Sequence, residues 1–299
     1  MEPRLPPEVE VAWYADAKSA PAVVRGADVL WLNMWERAQI QAALEAGDSL
    51  RWVSMHGAGV ESLPLDLLRE RGLTLTNGAG LHAIPIAEYA LLGMLALAKG
   101  FPALVRAQDR KEWLDAPPAF GELQGTKALI VGYGGIGSAI GERLRAFGVE
   151  VVGARRHPAA VGEIGAGAWR DRLGEFDWVI LASPLTESTR AQVRAAELAA
   201  MKPTAVLVNI ARGGLIDETA LAGALREGSI AGAYLDVTSE EPLPSESPLW
   251  TLPNLVLTPH SSWASQRVMA RAADLFLDNL DRFRAGRPLR NVVDLQEGY

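Results

Sequence analysis

The sequence predicts an α/β protein of two domains, each built on a doubly wound parallel sheet. Three observations support this fold class. Short apolar runs rich in β-branched residues alternate with helical stretches. Several of these runs, such as residues 128–131 and 205–208, are apolar at nearly every position, as in strands covered by helices on both faces. One series of alternating strands and helices lies before about residue 100 and a second series lies after it, and 299 residues are enough for two domains.

The predicted strands share this apolar composition and lie at residues 9–15, 28–32, 50–55, 73–76, 128–131, 149–152, 178–182, 205–210, 231–237 and 255–258. Residues 84–98 are predicted to form a buried helix, because Pro85 and Glu88 interrupt a stretch shorter than the ~18–20 apolar residues of a membrane span. Gly100 and Pro102 predict a bend after it. Residues 266–285 predict one long amphipathic helix.

Composition excludes several classes of function. The net charge of −7 argues against nucleic acid as the main partner, since that role needs a basic surface. The absence of cysteine excludes disulfides, thiolate catalysis and cysteine-ligated zinc. No histidine or carboxylate cluster has metal-ligand spacing, so no metal is expected. The N-terminal residues lack the basic start and apolar stretch of a secretory signal, which predicts a cytoplasmic protein without membrane attachment.

A glycine-rich turn follows the predicted strand at 128–131. Its residues are Gly132, Tyr133, Gly134, Gly135, Ile136 and Gly137, and a helical pattern comes next. In G-x-G-x-x-G between strand and helix, the glycines permit a tight turn, close approach of the backbone to a pyrophosphate, and close packing of helix on strand. The anion then rests on the helix N-terminus. The turn predicts a dinucleotide-binding site.

The end of the next strand bears on which nucleotide binds. An NAD site usually has a carboxylate there for the ribose 2′-hydroxyl. This sequence instead has Arg155 and Arg156, and a guanidinium suits a 2′-phosphate. We therefore predict a preference for NADP(H), with NAD(H) as a possible second cofactor. The alternative is that both arginines are ordinary solvated surface charges.

Three later segments each place chemically useful residues at a predicted strand end, at residues 208–214, 235–242 and 257–260. In a doubly wound sheet, ligands bind outside the carboxyl ends of the strands. Arg212, Glu241 and His260 are therefore the candidate catalytic residues. The other histidines, His56, His82 and His157, lack comparable placement, and we do not interpret them as catalytic bases.

Together with other stretches along the chain, these segments resemble the D-isomer-specific 2-hydroxyacid dehydrogenase family. Glyoxylate/hydroxypyruvate reductases and phosphoglycerate dehydrogenases are among its members. The matching stretches are residues 57–60, 76–80, 87–88, 122–125, 132–137, 184–186 with Thr189, 201–202, 209–213, 235–242, 247–250 and 258–260. The resemblance implies that Arg212, Glu241 and His260 are the family's catalytic arginine, glutamate and histidine.

Their chemistry suits a 2-keto acid. Arg212 can hold the substrate carboxylate and polarise the adjacent carbonyl. His260 can donate a proton to the carbonyl oxygen as hydride arrives at the carbon. A carboxylate that hydrogen-bonds the other ring nitrogen would orient the imidazole. Glu241 matches the family here, and Asp236 is the competing carboxylate.

The resemblance also implies the rest of the site. It places the cofactor against Ser183, Pro184, Ile210, Ala211 and Asp236 in addition to the glycine turn and the two arginines. Gly57, Ala58 and Gly59 correspond to a substrate-carboxylate loop, whose successive amides can form an anion-binding nest. The alternative is a glycine turn without a ligand.

The resemblance further implies a domain organisation and a partner. A Rossmann cofactor domain at 98–267 would be inserted into a flavodoxin-like substrate domain at 1–97 and 268–299, and the protein would be a homodimer. The leading functional hypothesis is NADPH-dependent reduction of glyoxylate, hydroxypyruvate or a similar small 2-keto acid. The alternative from another class is a nucleotide-sensing, non-catalytic binding protein on the same fold.

Overall fold

A computed structural model describes residues 4–60, 62–158 and 160–296. The chain forms two compact units, Met1–His82 with Ser265–Tyr299, and Ala83–Ala264. The second unit is inserted into the first along the chain. The expected junctions were 97/98 and 267/268. The first junction falls earlier, at 82/83, because the helix Ala83–Ala98 contributes Ile86, Ala90 and Met94 to the core of the second unit.

The first unit contains a parallel sheet in the order β1 (Val29–Leu32), β2 (Trp52–Met55) and β3 (Thr74–Thr76). Its helices are α1 (Ala20–Val23), α2 (Arg37–Ala46), α3 (Leu65–Glu70) and α9 (Val268–Arg284). The long C-terminal helix α9 packs in this unit, where Phe276 stacks on Trp52 with ring centroids 5.2 Å apart. The predicted amphipathic helix at 266–285 is thus present.

The predicted strand at residues 9–15 is wrong. These residues form no strand, and the sheet has three strands in the described part of the chain. Val11 and Trp13 are exposed, the latter by 66%. Tyr14 reaches β1, where its hydroxyl donates to Trp31 O at 3.0 Å and accepts from Asn33 N at 2.8 Å. An apolar run whose side chains find no covering layer gains too little burial to form a strand.

The second unit holds a seven-stranded parallel sheet in the order β10-β9-β8-β7-β4-β5-β6. The strands are β4 (Lys127–Val131), β5 (Glu150–Arg155), β6 (Glu163–Gly165), β7 (Trp178–Leu181), β8 (Val206–Asn209), β9 (Gly232–Leu235) and β10 (Leu255–Leu257). Its helices are α4 (Ala83–Ala98), α5 (Phe101–Asp109), α6 (Gly135–Ala146), α7 (Ala195–Ala200) and α8 (Glu218–Glu227). Three short 3₁₀ helices, at Arg170–Glu175, Gly213–Leu215 and Pro248–Thr251, complete it.

This order is that of the Rossmann fold, so the predicted α/β class is confirmed. The strand order reverses at β4, which lies between β5 and β7. Loops that leave the carboxyl ends of these strands on either side of the reversal bound a crevice. Strand β6 was not predicted, because its three residues contain a single apolar side chain that gives no periodic signal.

Helix α4 is the predicted apolar helix, and most of its length is buried. In the described part of the chain, no single helix is long and apolar enough to cross a membrane. The helices α4 and α5 reach that length only as a pair, bent by 73° at the predicted break. Gly100 lies in this bend with φ +62°.

Candidate active site

The glycine-rich turn joins β4 to α6 in a conformation that requires its glycines. Gly132 has φ +98°, and a Cβ there would lie 2.3 Å from Ser183 N. A Cβ on Gly137 would lie 2.3 Å from Gly132 O. The N–H groups of Gly132 and Tyr133 both donate to Ala154 O at 2.9 Å, which fastens the turn to β5. The turn is therefore held closely against its two neighbouring strands.

The second glycine of the turn leaves room for an anion. Gly134 is the N-cap of α6, and no side chain caps this helix. A Cβ on Gly134 would meet no described atom within 4 Å. The first N–H groups of a helix have no acceptor within it, and the helix dipole favours negative charge at this end. A dinucleotide pyrophosphate fits this N-terminus in charge and in space.

Tyr133 supports the turn from inside the domain. Its ring is buried beside Gly153, where a Cβ would lie 2.3 Å from the ring carbon Cγ. Its hydroxyl accepts a hydrogen bond from Arg145 Nη1 at 2.9 Å. With its N–H engaged by Ala154, Tyr133 contributes to the shape of the turn.

The end of β5 is more acidic than the sequence suggested. Arg155 is half-exposed, and Arg156 and His157 are exposed. The neighbouring strand β6, however, places Glu163 Oε1 3.7 Å from Arg155 Nη1. Sequence reasoning missed this carboxylate because it belongs to a strand without a sequence signal.

The loops after β7 and β8 lie on the other side of the glycine turn. Ser183 is buried, and its hydroxyl accepts from Gln192 Nε2 at 2.8 Å. Pro184 follows it, and its carbonyl accepts from Thr189 Oγ1 at 2.7 Å. In the next loop, Ile210 is buried and Ala211 is partly buried. The side of the crevice predicted to contact the cofactor is thus formed by ordered backbone.

Arg212 is held by a buried asparagine that sequence reasoning did not single out. Asn209 is completely buried, its Oδ1 accepts from Ala211 N at 3.1 Å, and its Nδ2 donates to Arg212 O at 2.9 Å. Asparagine commonly closes such turns after a strand. A Cβ on Gly213 would lie 1.9 Å from the carbonyl carbon of Thr238. The loop that carries Arg212 therefore packs directly against the loop that leads to Glu241.

The predicted histidine and glutamate meet in the structure. His260 Nδ1 lies 2.7 Å from Glu241 Oε2, and both side chains are partly exposed. The other carboxylate oxygen, Oε1, accepts from Thr238 N at 3.0 Å. His260 has φ +48°. One ring nitrogen is thereby paired with a fixed carboxylate, which leaves Nε2 for proton exchange.

Asp236, the competing carboxylate, has a different task. It is buried and accepts from Thr258 Oγ1 at 2.6 Å, Ser261 N at 3.0 Å and Ser262 N at 3.0 Å. Its backbone oxygen accepts from His260 N at 2.7 Å. Of the two carboxylates considered, Glu241 is therefore the one that contacts the imidazole, and Asp236 fixes the loop on which His260 lies.

The loop at Gly57, Ala58 and Gly59 belongs to the first unit, directly after β2. Gly57 O accepts from Gly78 N, and Ala58 O accepts from Asn77 Nδ2, each at 2.8 Å. The three N–H groups of this loop donate to no acceptor within the described ranges. The N–H groups of these three residues are therefore the candidate donors for an anion in the first unit.

The described residues contain no group of three or more His, Asp or Glu side chains able to hold a metal ion. Within the second unit, the described residues at the carboxyl edge include a guanidinium, an imidazole–carboxylate pair and a helix N-terminus.

A family model for the NAD-binding domain of D-isomer specific 2-hydroxyacid dehydrogenases matches residues 91–262. Among curated relatives, D-3-phosphoglycerate dehydrogenase of Methanocaldococcus jannaschii is 33% identical over 294 residues. That alignment covers 96% of this chain, which spans only 56% of the relative. Glyoxylate reductase of Thermococcus kodakarensis is 35% identical, with coverage of 91% and 84% respectively.

Two solved structures extend this similarity. A D-isomer specific 2-hydroxyacid dehydrogenase family protein from Aeromonas salmonicida superposes with a TM-score of 0.86 at 31% identity, covering 98% of this chain and 93% of its own. The NADPH-dependent glyoxylate/hydroxypyruvate reductase from Sinorhizobium meliloti, in complex with NADP and malonate, gives 0.74 at 29% identity, with coverage of 90% and 83%.

Proposed function

The chain belongs to the D-isomer specific 2-hydroxyacid dehydrogenase family, and on this premise we propose that it is an NADPH-preferring reductase of small 2-keto acids. Glyoxylate and hydroxypyruvate are the expected substrates. The observation that supports this most directly is the 2.7 Å pair of His260 and Glu241, on loops that leave the same sheet edge as the loop of Arg212.

Each of the three side chains has a defined role in this proposal. Arg212 binds the substrate carboxylate and polarises the adjacent carbonyl with its planar set of donors. Protonated His260 donates from Nε2 to the carbonyl oxygen, which becomes the hydroxyl of the product. Glu241 orients the ring and stabilises the imidazolium before that transfer. In the oxidative direction, neutral His260 accepts the hydroxyl proton.

A bound nicotinamide cofactor supplies or accepts the hydride. In our proposal the pyrophosphate lies on the N-terminus of α6 beside Gly134, and Ser183, Pro184, Ile210 and Ala211 line the neighbouring crevice. Arg155 and Arg156 would bind a 2′-phosphate. The S. meliloti structure with NADP supports this preference by similarity.

Within the first unit, the amides of residues 57–59 are the group we propose to bind the carboxylate of a keto acid. Their free N–H groups support this assignment. Replacing Ala58 by Pro removes one of these donors and should raise KM for the keto acid about tenfold, while the Kd of NADPH stays unchanged.

We also propose that the protein is a homodimer formed through the second unit. The segment between α4 and β4 exposes Phe101, Trp113 and Phe120, the last two by 93% and 83%. Exposed aromatic side chains clustered in one segment are typical of an interface. Light scattering after size-exclusion chromatography should give twice the chain mass, and Trp113→Glu with Phe120→Glu should halve it. Trp13→Glu in the first unit is the control and should leave the mass unchanged.

The cytoplasmic location of the protein stays a prediction.

The activity is tested by mixing purified protein with NADPH and a keto acid and following the decrease in NADPH absorbance. The panel contains glyoxylate, hydroxypyruvate, pyruvate and 3-phosphohydroxypyruvate, with NADH run in parallel. Turnover of the first two with NADPH is the expected result. His260→Ala should lower kcat by several orders of magnitude and leave the Kd of NADPH within about twofold. Nucleotide binding without turnover of any keto acid would contradict the proposal and favour a nucleotide-sensing protein.

A further inference from the structure

The short edge strand β6 brings an acidic side chain to the end of β5. The two strands are parallel, with Gly153 paired to Glu163 and Arg155 paired to Gly165. Residues in register on neighbouring strands point to the same face, as do residues two apart on one strand. Glu163 and Arg155 therefore share a face, and their Oε1 and Nη1 atoms lie 3.7 Å apart.

The two partners differ in accessibility. The side chain of Glu163 is 10% exposed, whereas that of Arg155 is 41% exposed. The carboxylate is thus fixed within the fold, and the guanidinium is the member of the pair that a ligand can reach. Any anion that binds Arg155 therefore competes with Glu163 for the positive charge of its guanidinium.

We propose that Glu163 lowers the preference of this protein for NADPH over NADH, by holding Arg155 and weakening its binding of a ribose 2′-phosphate. The inference rests on the proposed function in one respect, namely that the adenosine ribose lies at the end of β5. A 2′-phosphate is an anion that needs the guanidinium of Arg155 as an ion-pair partner, whereas a neutral 2′-hydroxyl does not. Glu163 therefore reduces the advantage that two arginines would otherwise give to NADPH over NADH.

The test is Glu163→Gln, which keeps the size of the side chain and removes its charge. The Kd values of NADPH, NADH, adenosine 2′,5′-bisphosphate and ADP are measured by isothermal titration calorimetry at low ionic strength. We expect the variant to bind NADPH and the bisphosphate about tenfold more tightly than the wild type, with NADH and ADP changed less than twofold. The gain should shrink as salt is added, because ions screen partly exposed charges.

Two further variants make the result specific. Glu150→Gln removes an exposed glutamate at the other end of β5, which pairs with Lys127 at 3.3 Å, and should change none of the four Kd values. In an Arg155→Gln background, Glu163→Gln should lose most of its effect, since the guanidinium it holds is absent. Persistence of the full tenfold gain in that background would overturn the mechanism.

The proposal is overturned if folded Glu163→Gln binds NADPH no more tightly than the wild type, or if NADH gains equally. If Glu163→Gln does not fold, the single variant Arg155→Gln is used to test the proposal instead. It should weaken NADPH binding less than about threefold, because Glu163 already holds that guanidinium, and a loss of a hundredfold would contradict the proposal. None of these binding measurements requires turnover. Failure of the reductase proposal is therefore recognised separately, by the absence of NADPH oxidation with any of the keto acids.

Discussion

Replacing Asp236 by Ala removes the carboxylate that organises the loop of the catalytic histidine. The side chain is 1% exposed, and its three donors are Thr258 Oγ1, Ser261 N and Ser262 N. A hydrogen bond to a charged group contributes about 1.5–3 kcal/mol, and a buried donor left without an acceptor costs about 1–3 kcal/mol. Removing the buried charge recovers part of its desolvation cost. We therefore expect a net loss of about 3–5 kcal/mol, since three buried donors lose their acceptor.

The same substitution should lower turnover beyond its effect on stability. The backbone N–H of His260 donates to Asp236 O at 2.7 Å, within the loop that the carboxylate holds. A displacement of about 1 Å can cost about a hundredfold in rate. We expect kcat to fall by tenfold to a hundredfold in Asp236→Ala, and by less in Asp236→Asn, which retains one acceptor oxygen.

Urea unfolding followed by circular dichroism measures the stability, and steady-state kinetics below the transition measure kcat. Asp217→Ala is the control, because Asp217 is exposed and accepts a single bond, from Ala220 N at the start of α8. It should lose about 1 kcal/mol, the usual contribution of an N-cap, and keep its turnover. If Asp236→Ala unfolds at the wild-type urea midpoint and keeps its kcat, the reasoning about this loop is refuted.

Three further predictions concern other parts of the molecule. Glu241→Gln weakens the charge-assisted contact with the imidazole, so kcat should fall by about tenfold or more, whereas exposed Glu240→Gln should leave it unchanged. Gly137→Ala forces a Cβ to within 2.3 Å of a backbone oxygen, so the Kd of NADPH should rise at least tenfold with a stability loss of about 1–3 kcal/mol; Gly223→Ala, in open space on α8, should bind normally. Burial, with His82 nearby, lowers the pKa of His56 below its ordinary 6.5. The unfolded chain then binds a proton at this histidine at a higher pH than the folded chain does, so the stability of the protein falls as the pH decreases below about 6.5. Between pH 8 and pH 5, the melting temperature of His56→Gln should therefore fall less than that of the wild type.

Much of the fold was predictable because its signals are local. Parallel strands buried on both faces leave runs of consecutive apolar residues, and nine of the ten predicted strands coincide with observed ones. The segment at residues 9–15 shows the limit of this signal. It has the apolar composition of a strand, but Trp13 is 66% exposed because no segment among the described residues covers it. Whether a segment is buried depends on the residues that pack around it, so burial cannot be predicted from the composition of that segment alone.

The sequence by itself determined the glycine turn and the identity of the candidate catalytic residues. A positive φ favours glycine, and a backbone atom close to the Cβ position leaves no room for a side chain. Gly132 and Gly137 meet these conditions, so the turn could be predicted from the sequence. Strand ends likewise pointed to Arg212, Glu241 and His260, because parallel strands bring their carboxyl ends to one edge.

Only the tertiary structure decided which of these residues touch one another. The choice between Glu241 and Asp236 as the partner of His260 depended on loop paths that no spacing encodes. The contact of Glu163 with Arg155 depended on a three-residue edge strand formed by pairing with its neighbour. Hydrogen bonds and ion pairs act over about 3–4 Å, whereas their partners lie many residues apart along the chain, so these pairings exist only once the chain has folded.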